Sequence, residues 1–216
     1  MPIRPIHLVL VFILFVPGLL RAQTVPDSGT FVVRHGRDTV ATEQFARRET
    51  GLEGTLSIKD KNTTNQRYTA VIAPDATLPL LEVTVREGTD SAGRKARVAQ
   101  RARVIFKEDS VAVDAIGGDG LQTRVFQTER GAVPYLNLSF ALLEQAVRRA
   151  RVSADTSRVA FFNLGGGQTV IATVSRLGAD SLRLAIGNVE YRLRVDQAGR
   201  VLGGRIPAQD VVVDRR

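Results

Sequence analysis

Apolar and polar residues alternate with a period of two along much of the chain, the spacing of a strand with one buried and one wet face. Phe31 and Val33 alternate with Val32 and Arg34. A second β-rich run, Thr39 to Phe45, follows the turn-like His35-Gly36-Arg37-Asp38, which predicts a hairpin. Leu56 and Ile58 alternate with Ser57 and Lys59 ahead of a polar stretch, Asp60 to Asn65. Tyr68 to Ile72 and Leu80 to Val85 read as two further strands, held apart by Pro74-Asp75 and Pro79, because proline cannot donate to a ladder. The clearest alternation runs from Lys95 to Phe106. It sets Lys95, Arg97, Arg101 and Arg103 on one face and Ala96, Val98, Ala102, Val104 and Phe106 on the other. Ser110 to Asp114 and Thr123 to Thr128 continue the meander across the loop Gly117-Gly118-Asp119-Gly120.

The period changes in one place. Phe140, Leu143, Val147 and Ala150 recur at three and four residues, Ser139 is placed to cap, and Arg148, Arg149 and Arg151 stand near the end where cations favour the helix dipole. This predicts a single midchain helix that Pro134 keeps from reaching further back. Strand patterns then resume: Arg158 to Phe162, Gln168 to Arg176, Ser181 to Ile186, Val189 to Asp196, Arg200 to Ile206 and Val211 to Val213. Turns this short require antiparallel pairing, since parallel strands need crossovers of a dozen or more residues. The fold class is therefore all-β dominated with one helix. The helix and the strands each offer an apolar surface that needs cover, so the helix is expected against the sheet, with the rest closed by curvature, a partner or a bound apolar molecule.

The first residues follow another pattern. Arg4 precedes an apolar run from Leu8 to Leu20, and Arg21-Ala22-Gln23 returns to polar residues, the layout of a secretory signal peptide over residues 1–22. An apolar run of about 13 residues is too short to span a bilayer. Export to the periplasm or the medium is expected, with residues 23–216 forming a single antiparallel β-rich domain. The formal charge is +8, mostly from arginine, in 216 residues. A balance of that sign suits lipid or acidic surfaces.

Site chemistry is sparse. The chain has no Cys and two His, His7 and His35, which excludes thiol nucleophiles, disulfides and multi-His or Cys metal sites. Neither a metal nor a cofactor is expected. His35 with Asp38 has the elements of a base and its orienter, but it sits in a predicted turn where polar residues belong anyway. The loops at Gly117 to Gly120 and Gly165 to Gly167 lack the spacing of a phosphate loop. Asp109, Asp114, Glu129 and Glu190 are scattered, and no Gly-x-Ser-x-Gly occurs. The basic row Lys95, Arg97, Arg101 and Arg103 is the best polar constellation, a candidate contact for an anionic partner; it lacks the interleaved aromatics of a nucleic-acid platform, and no nucleic acid is expected.

The hairpin with Gly36 in its turn, the stretch Tyr68 to Val85 around Pro74 and Pro79, the helix after Gly131-Ala132-Val133-Pro134, and the closing run Val189 to Leu202 resemble exported bacterial proteins of the DUF3108 type. Those are similar in shape to the lipoprotein-carrier half-barrels LolA and LolB. The resemblance implies a long curved antiparallel sheet, or half-barrel meander, packed on the midchain helix, binding an acyl chain or a partner segment on its concave face. On that expectation the ligand-facing residues are Phe140, Leu143, Val147, Val104, Phe106, Tyr191 and Leu193. The expected function is a non-catalytic binding or carrier module of the cell envelope, with a lipid or an envelope protein as partner. The alternatives are an outer-membrane β-barrel and a hydrolase working with carboxylates. Against the barrel stand the terminal Arg215-Arg216 and an aromatic content of 6%.

Overall fold

The structure is a computed structural model that describes residues 27–60, 63–88, 97–152 and 158–216. The expected leader, Lys95 and the side chain of Arg97 lie outside the described residues, as does the polar loop from Thr89 to Gly93, expected as a loop tip between two strands. The first half of the chain forms β1 (Asp27–His35), β2 (Asp38–Arg47), β3 (Gly51–Lys59), β4 (Thr63–Val71), β5 (Leu80–Glu87), β6 (Arg97–Lys107), β7 (Ser110–Gly117) and β8 (Gly120–Gln127). After β9 (Val133–Tyr135) comes the helix α1 (Phe140–Val152), and then β10 (Arg158–Asn163), β11 (Gln168–Arg176), β12 (Ser181–Ile186), β13 (Val189–Val195), β14 (Val201–Ile206) and β15 (Val211–Arg215).

All fifteen strands belong to one sheet, in the order β8 to β1 followed by β15 to β9. Two antiparallel meanders, β1–β8 and β10–β15, are thus joined where β1 pairs with β15, Val33 opposite Val213. The expected antiparallel rule has one exception. β9 lies parallel to β10, with Pro134 opposite Phe162, because α1 supplies the long crossover that parallel pairing needs. Pro134 fits there because β9 is the edge of the sheet.

The sheet curls until β8 approaches the β10–β11 hairpin from the other end. The rings of Phe126 and Phe162 meet at 5.6 Å, and the hydroxyls of Thr128 and Thr169 at 2.8 Å. The result is a curved half-barrel closed along one seam by side chains. Its inner face carries Phe31, Val33, Leu56, Leu81, Val104, Leu184 and Val213, all buried, and α1 fills the space they surround. Side chains from Ser139 to Val147 are all buried. The expected apolar stripe of α1 is therefore only part of its contact surface, since a sheet wrapped around a helix covers its polar positions too.

Two strands depart locally from the expected pattern. β4 begins at Thr63, inside the stretch expected as a polar loop, because Thr63 to Asn65 continue the β3–β4 ladder. In β6 the register shifts opposite Val85 and Arg86: Gln100 faces Val85, Val98 faces Arg86, and Ala99 is the extra residue. The even-numbered apolar row therefore breaks at Val98, which shares the outer face with Arg86 and is 38% exposed.

Candidate functional site

Period two in β2 places Ala41, Glu43, Phe45 and Arg47 in a row facing the barrel interior, so two charged side chains are carried into the core. Glu43 meets the start of α1. Its Oε2 accepts the backbone N–H groups of Phe140 (2.7 Å) and Ala141 (2.9 Å), while its Oε1 accepts the hydroxyls of Ser139 (2.5 Å) and Tyr68 (2.7 Å). A carboxylate there satisfies orphan helix N–H groups and complements the positive end of the helix dipole. Burial pushes the Glu43 carboxyl above its ordinary value against the pull of its four donors, Ser139 first, and burial beside Glu43 pushes the Tyr68 phenol up. Ser139 caps as the sequence predicts, its hydroxyl 3.4 Å from the N–H of Leu142, and it donates its own proton to Glu43. Tyr68 reaches across β3 because position 54 is glycine: a Cβ there would overlap the Tyr68 phenol ring.

A second buried network surrounds Glu144, one turn further along α1. Its oxygens accept the Val201 N–H (2.8 Å), Arg148 (2.9 Å) and Arg215 (3.1 Å), with Arg47 at 3.3 Å. Arg148 also pairs with Asp27 at 2.5 Å. Arg215 pairs with the same carboxylate, and its guanidinium lies over the rings of Phe45 and Phe31 at 4.9 and 5.8 Å. Arg47 donates to the Gln145 side chain and to the Ala141 carbonyl (2.8 Å), and its Nε has no partner among the described residues. Burial lowers the Arg47 pKa, opposed by the charge of Glu144. Three arginines thus face two carboxylates, and the excess is positive.

This network underlies a cleft of about 1060 Å³ at the end of the barrel where α1 points outward. The β2–β3 turn at Arg48, the β4–β5 loop from Ile72 to Ala76, and the turns around Ala179 and Ala198 form its rim. Arg47, Gln145 and Arg148 supply polar lining, Val147, Ala150, Leu182 and Val195 apolar lining, and Arg176 a further cation at the edge. The arrangement suits a molecule with an apolar body and an anionic end.

The residues singled out from the sequence fall into two groups. Phe140, Leu143, Val147, Val104, Tyr191 and Leu193 are brought together, but in the packed core, with Phe106 half-buried edge-on to Phe162; of the seven, Val147 lines the cleft. The Tyr191 hydroxyl meets that of Tyr135 at 3.0 Å, and burial pushes its pKa up. Arg101 and Arg103 stand exposed on the outer face of β6, Arg103 at 3.7 Å from Glu82. His35 and Asp38 are exposed at the β1–β2 turn. Glu43, Arg47, Asp27, Glu144 and Arg215 were not singled out from the sequence. For the first two a signal existed, two charges in an otherwise apolar row. Among the described residues no group of three or more His, Cys, Asp or Glu could hold a metal ion, and no helix is long and apolar enough to cross a membrane.

No protein-family model matches the chain, and no curated protein does. Solved structures that share the fold include two domains of unknown function. A DUF1089 family protein from Pseudomonas aeruginosa superimposes with a TM-score of 0.55 at 14% identity, over 80% of this chain and 91% of its own. A β-barrel-like protein of domain of unknown function DUF1849 from Brucella abortus gives a TM-score of 0.53 at 9% identity, over 89% and 95%. The chain therefore has the architecture of small β-barrel-like domains of unknown function.

Proposed function

We propose that this protein is an exported, non-catalytic binding or carrier module of the cell envelope, and that its ligand is an amphipathic molecule, an acyl chain with an anionic end, seated in the cleft at the end of the barrel. The make-up of that cleft carries the proposal: buried Arg47 and the partly buried Arg148 lie beside Val147, Leu182 and Val195. Pockets for small molecules are commonly apolar with a few fixed polar groups. The two fully buried carboxylates support binding over chemistry, because both oxygens of Glu43 and of Glu144 are engaged by helix, strand and arginine donors. The proposal retains the DUF3108-like and LolA/LolB-type expectation of a curved sheet that carries an acyl chain, and moves the ligand from the filled concave face to the open end. An outer-membrane barrel is disfavoured by the exposed outer-face row Arg183, Arg192 and Arg205, in register across β12, β13 and β14, where a lipid-facing band would be apolar.

The test is uptake of a fluorescent fatty acid by the purified protein, together with native mass spectrometry for copurified lipid. Wild type should bind saturably. The double variant Ala179→Trp/Ala198→Trp, which fills the cleft mouth from two exposed turns, should lose binding with unchanged thermal stability. Absence of both uptake and copurified lipid from wild type would remove the carrier proposal.

A further inference from the structure

Outside the cleft, apolar exposure is concentrated on one face. Nine large apolar residues are exposed among the described residues, and five of them, Val98, Ile105, Ile116, Leu121 and Val125, lie on the outer face of β6, β7 and β8. The register sets Leu121 opposite Ile116 and Ile116 opposite Arg101, while Val125, Ala112 and Ile105 form a second apolar row on the same face, with the polar row Thr123, Asp114 and Arg103 between the two. Leu121 and Val125 are 65% and 70% exposed. Single exposed apolar residues need no explanation, but five gathered on one face and interleaved with arginines point to an amphipathic contact surface.

The same face continues into a groove of about 810 Å³ across β4 to β7, bounded by Arg67, Arg86, Arg101 and Arg103. Two carboxylates oppose these four cations. Glu82 lies 3.7 Å from Arg103, and Asp114 accepts the Thr123 hydroxyl at 2.8 Å. Arg67, Arg86 and Arg101 make no ion pair among the described residues. A second copy of the chain would bring like charges together on this face, whereas an anionic surface answers both features at once: apolar groups enter the headgroup boundary and arginines meet the phosphates.

We infer that the outer face of β4–β8 is a docking surface for anionic lipid, with Ile116, Leu121 and Val125 entering the interface and Arg67, Arg86, Arg101 and Arg103 contacting headgroups. This surface is separate from the cleft, and its failure would leave the ligand proposal standing.

Co-sedimentation of the full protein with vesicles tests it. Wild type should bind phosphatidylcholine vesicles containing phosphatidylglycerol, should not bind phosphatidylcholine alone, and should be released as salt rises. Arg67→Gln/Arg101→Gln should weaken binding roughly 25-fold, given about 1 kcal/mol for each arginine near such a surface. Leu121→Ser/Val125→Ser, at exposed positions that leave the core intact, should also lose binding. Arg192→Gln/Arg205→Gln on the outer face of β13 and β14 should bind as wild type does. Equal binding to neutral vesicles, full binding by Arg67→Gln/Arg101→Gln, or equal loss in Arg192→Gln/Arg205→Gln would overturn the inference. So would retention on polyglutamate without vesicle binding, which would reassign the face to an acidic polymer.

Discussion

Glu43 on β2 holds the first turn of a helix that begins 97 residues later, its Oε2 accepting the backbone N–H of Phe140 at 2.7 Å. Glu43→Ala would leave two hydroxyls and two backbone donors unpaired inside the barrel. We expect a loss of about 3 kcal/mol or more, read as a lower midpoint in urea unfolding. A loss under about 0.5 kcal/mol, the range of ordinary surface substitutions, would show that water replaces the carboxylate without cost.

The same carboxyl sets a pH dependence. Burial raises its pKa above the ordinary 4.5, so the folded chain holds the proton more tightly than the unfolded chain does. The contribution from this linkage is full below about 4.5 and is lost as pH rises through the folded-state value. Thermal midpoints taken from about pH 4 to 8 should therefore fall less steeply in Glu43→Gln, which cannot titrate, than in wild type. Identical slopes in the two proteins would place the pH dependence elsewhere.

Gly54 and Tyr68 occupy one space on neighbouring strands. Gly54→Ala would force the phenol away from Glu43, at an expected cost of about 1–3 kcal/mol. Gly51→Ala, at a site in the same strand where a Cβ meets nothing nearer than the Ala70 carbonyl at 3.7 Å, should cost far less. Chemical unfolding of the pair separates crowding from a general effect of alanine in β3.

Glu144 is the anion shared by three arginines. Glu144→Gln should cost about 3–5 kcal/mol, because it leaves Arg47 and Arg215 as buried cations short of a counter-charge. A double-mutant cycle with Arg47→Met should recover part of that loss, and strict additivity would deny the coupling between the two side chains.

The seam depends on Phe126, whose ring packs on Phe162 and occupies the space a Cβ at Gly167 would take. Phe126→Ala should cost about 1 kcal/mol, since the ring is only partly buried, and should speed amide hydrogen exchange in β8 while β1 and β2 stay protected. Unchanged exchange in β8 would mean that its ladder with β7 suffices to hold it.

Much of the architecture is legible in the sequence because it is local. The β1–β2 hairpin follows from two alternating runs around Gly36, and α1 from the recurrence of Phe140, Leu143 and Val147 after Ser139. What escaped depends on residues far apart in the chain. β9 is three residues long and becomes a strand only because α1 returns the chain beside it. The bulge at Ala99 has no glycine or proline to mark it, so the row of Lys95, Arg97, Arg101 and Arg103 read as one continuous face. Glu43 and Arg47 stood in an apolar row, but their partners on α1 lie more than ninety residues away, and only the curl of the sheet makes the meeting. The cleft was illegible for the same reason, since the separate turns that rim it converge only in three dimensions.

The pairing of β1 with β15 carries a kinetic cost. The Arg34 side chain pairs with that of Asp214 across 180 residues of chain, so the strand that joins the two meanders follows every other described strand in the sequence. Until it arrives, β1 has an unpaired edge beside Phe31 and Val33, and the helix that fills the barrel has only part of its cover. Folding gated by so distant a contact is slow, and the waiting half-sheet is open to strands from other chains. Refolding yield should therefore depend on protein concentration more steeply than in a sheet of equal size whose strands all pair with sequence neighbours.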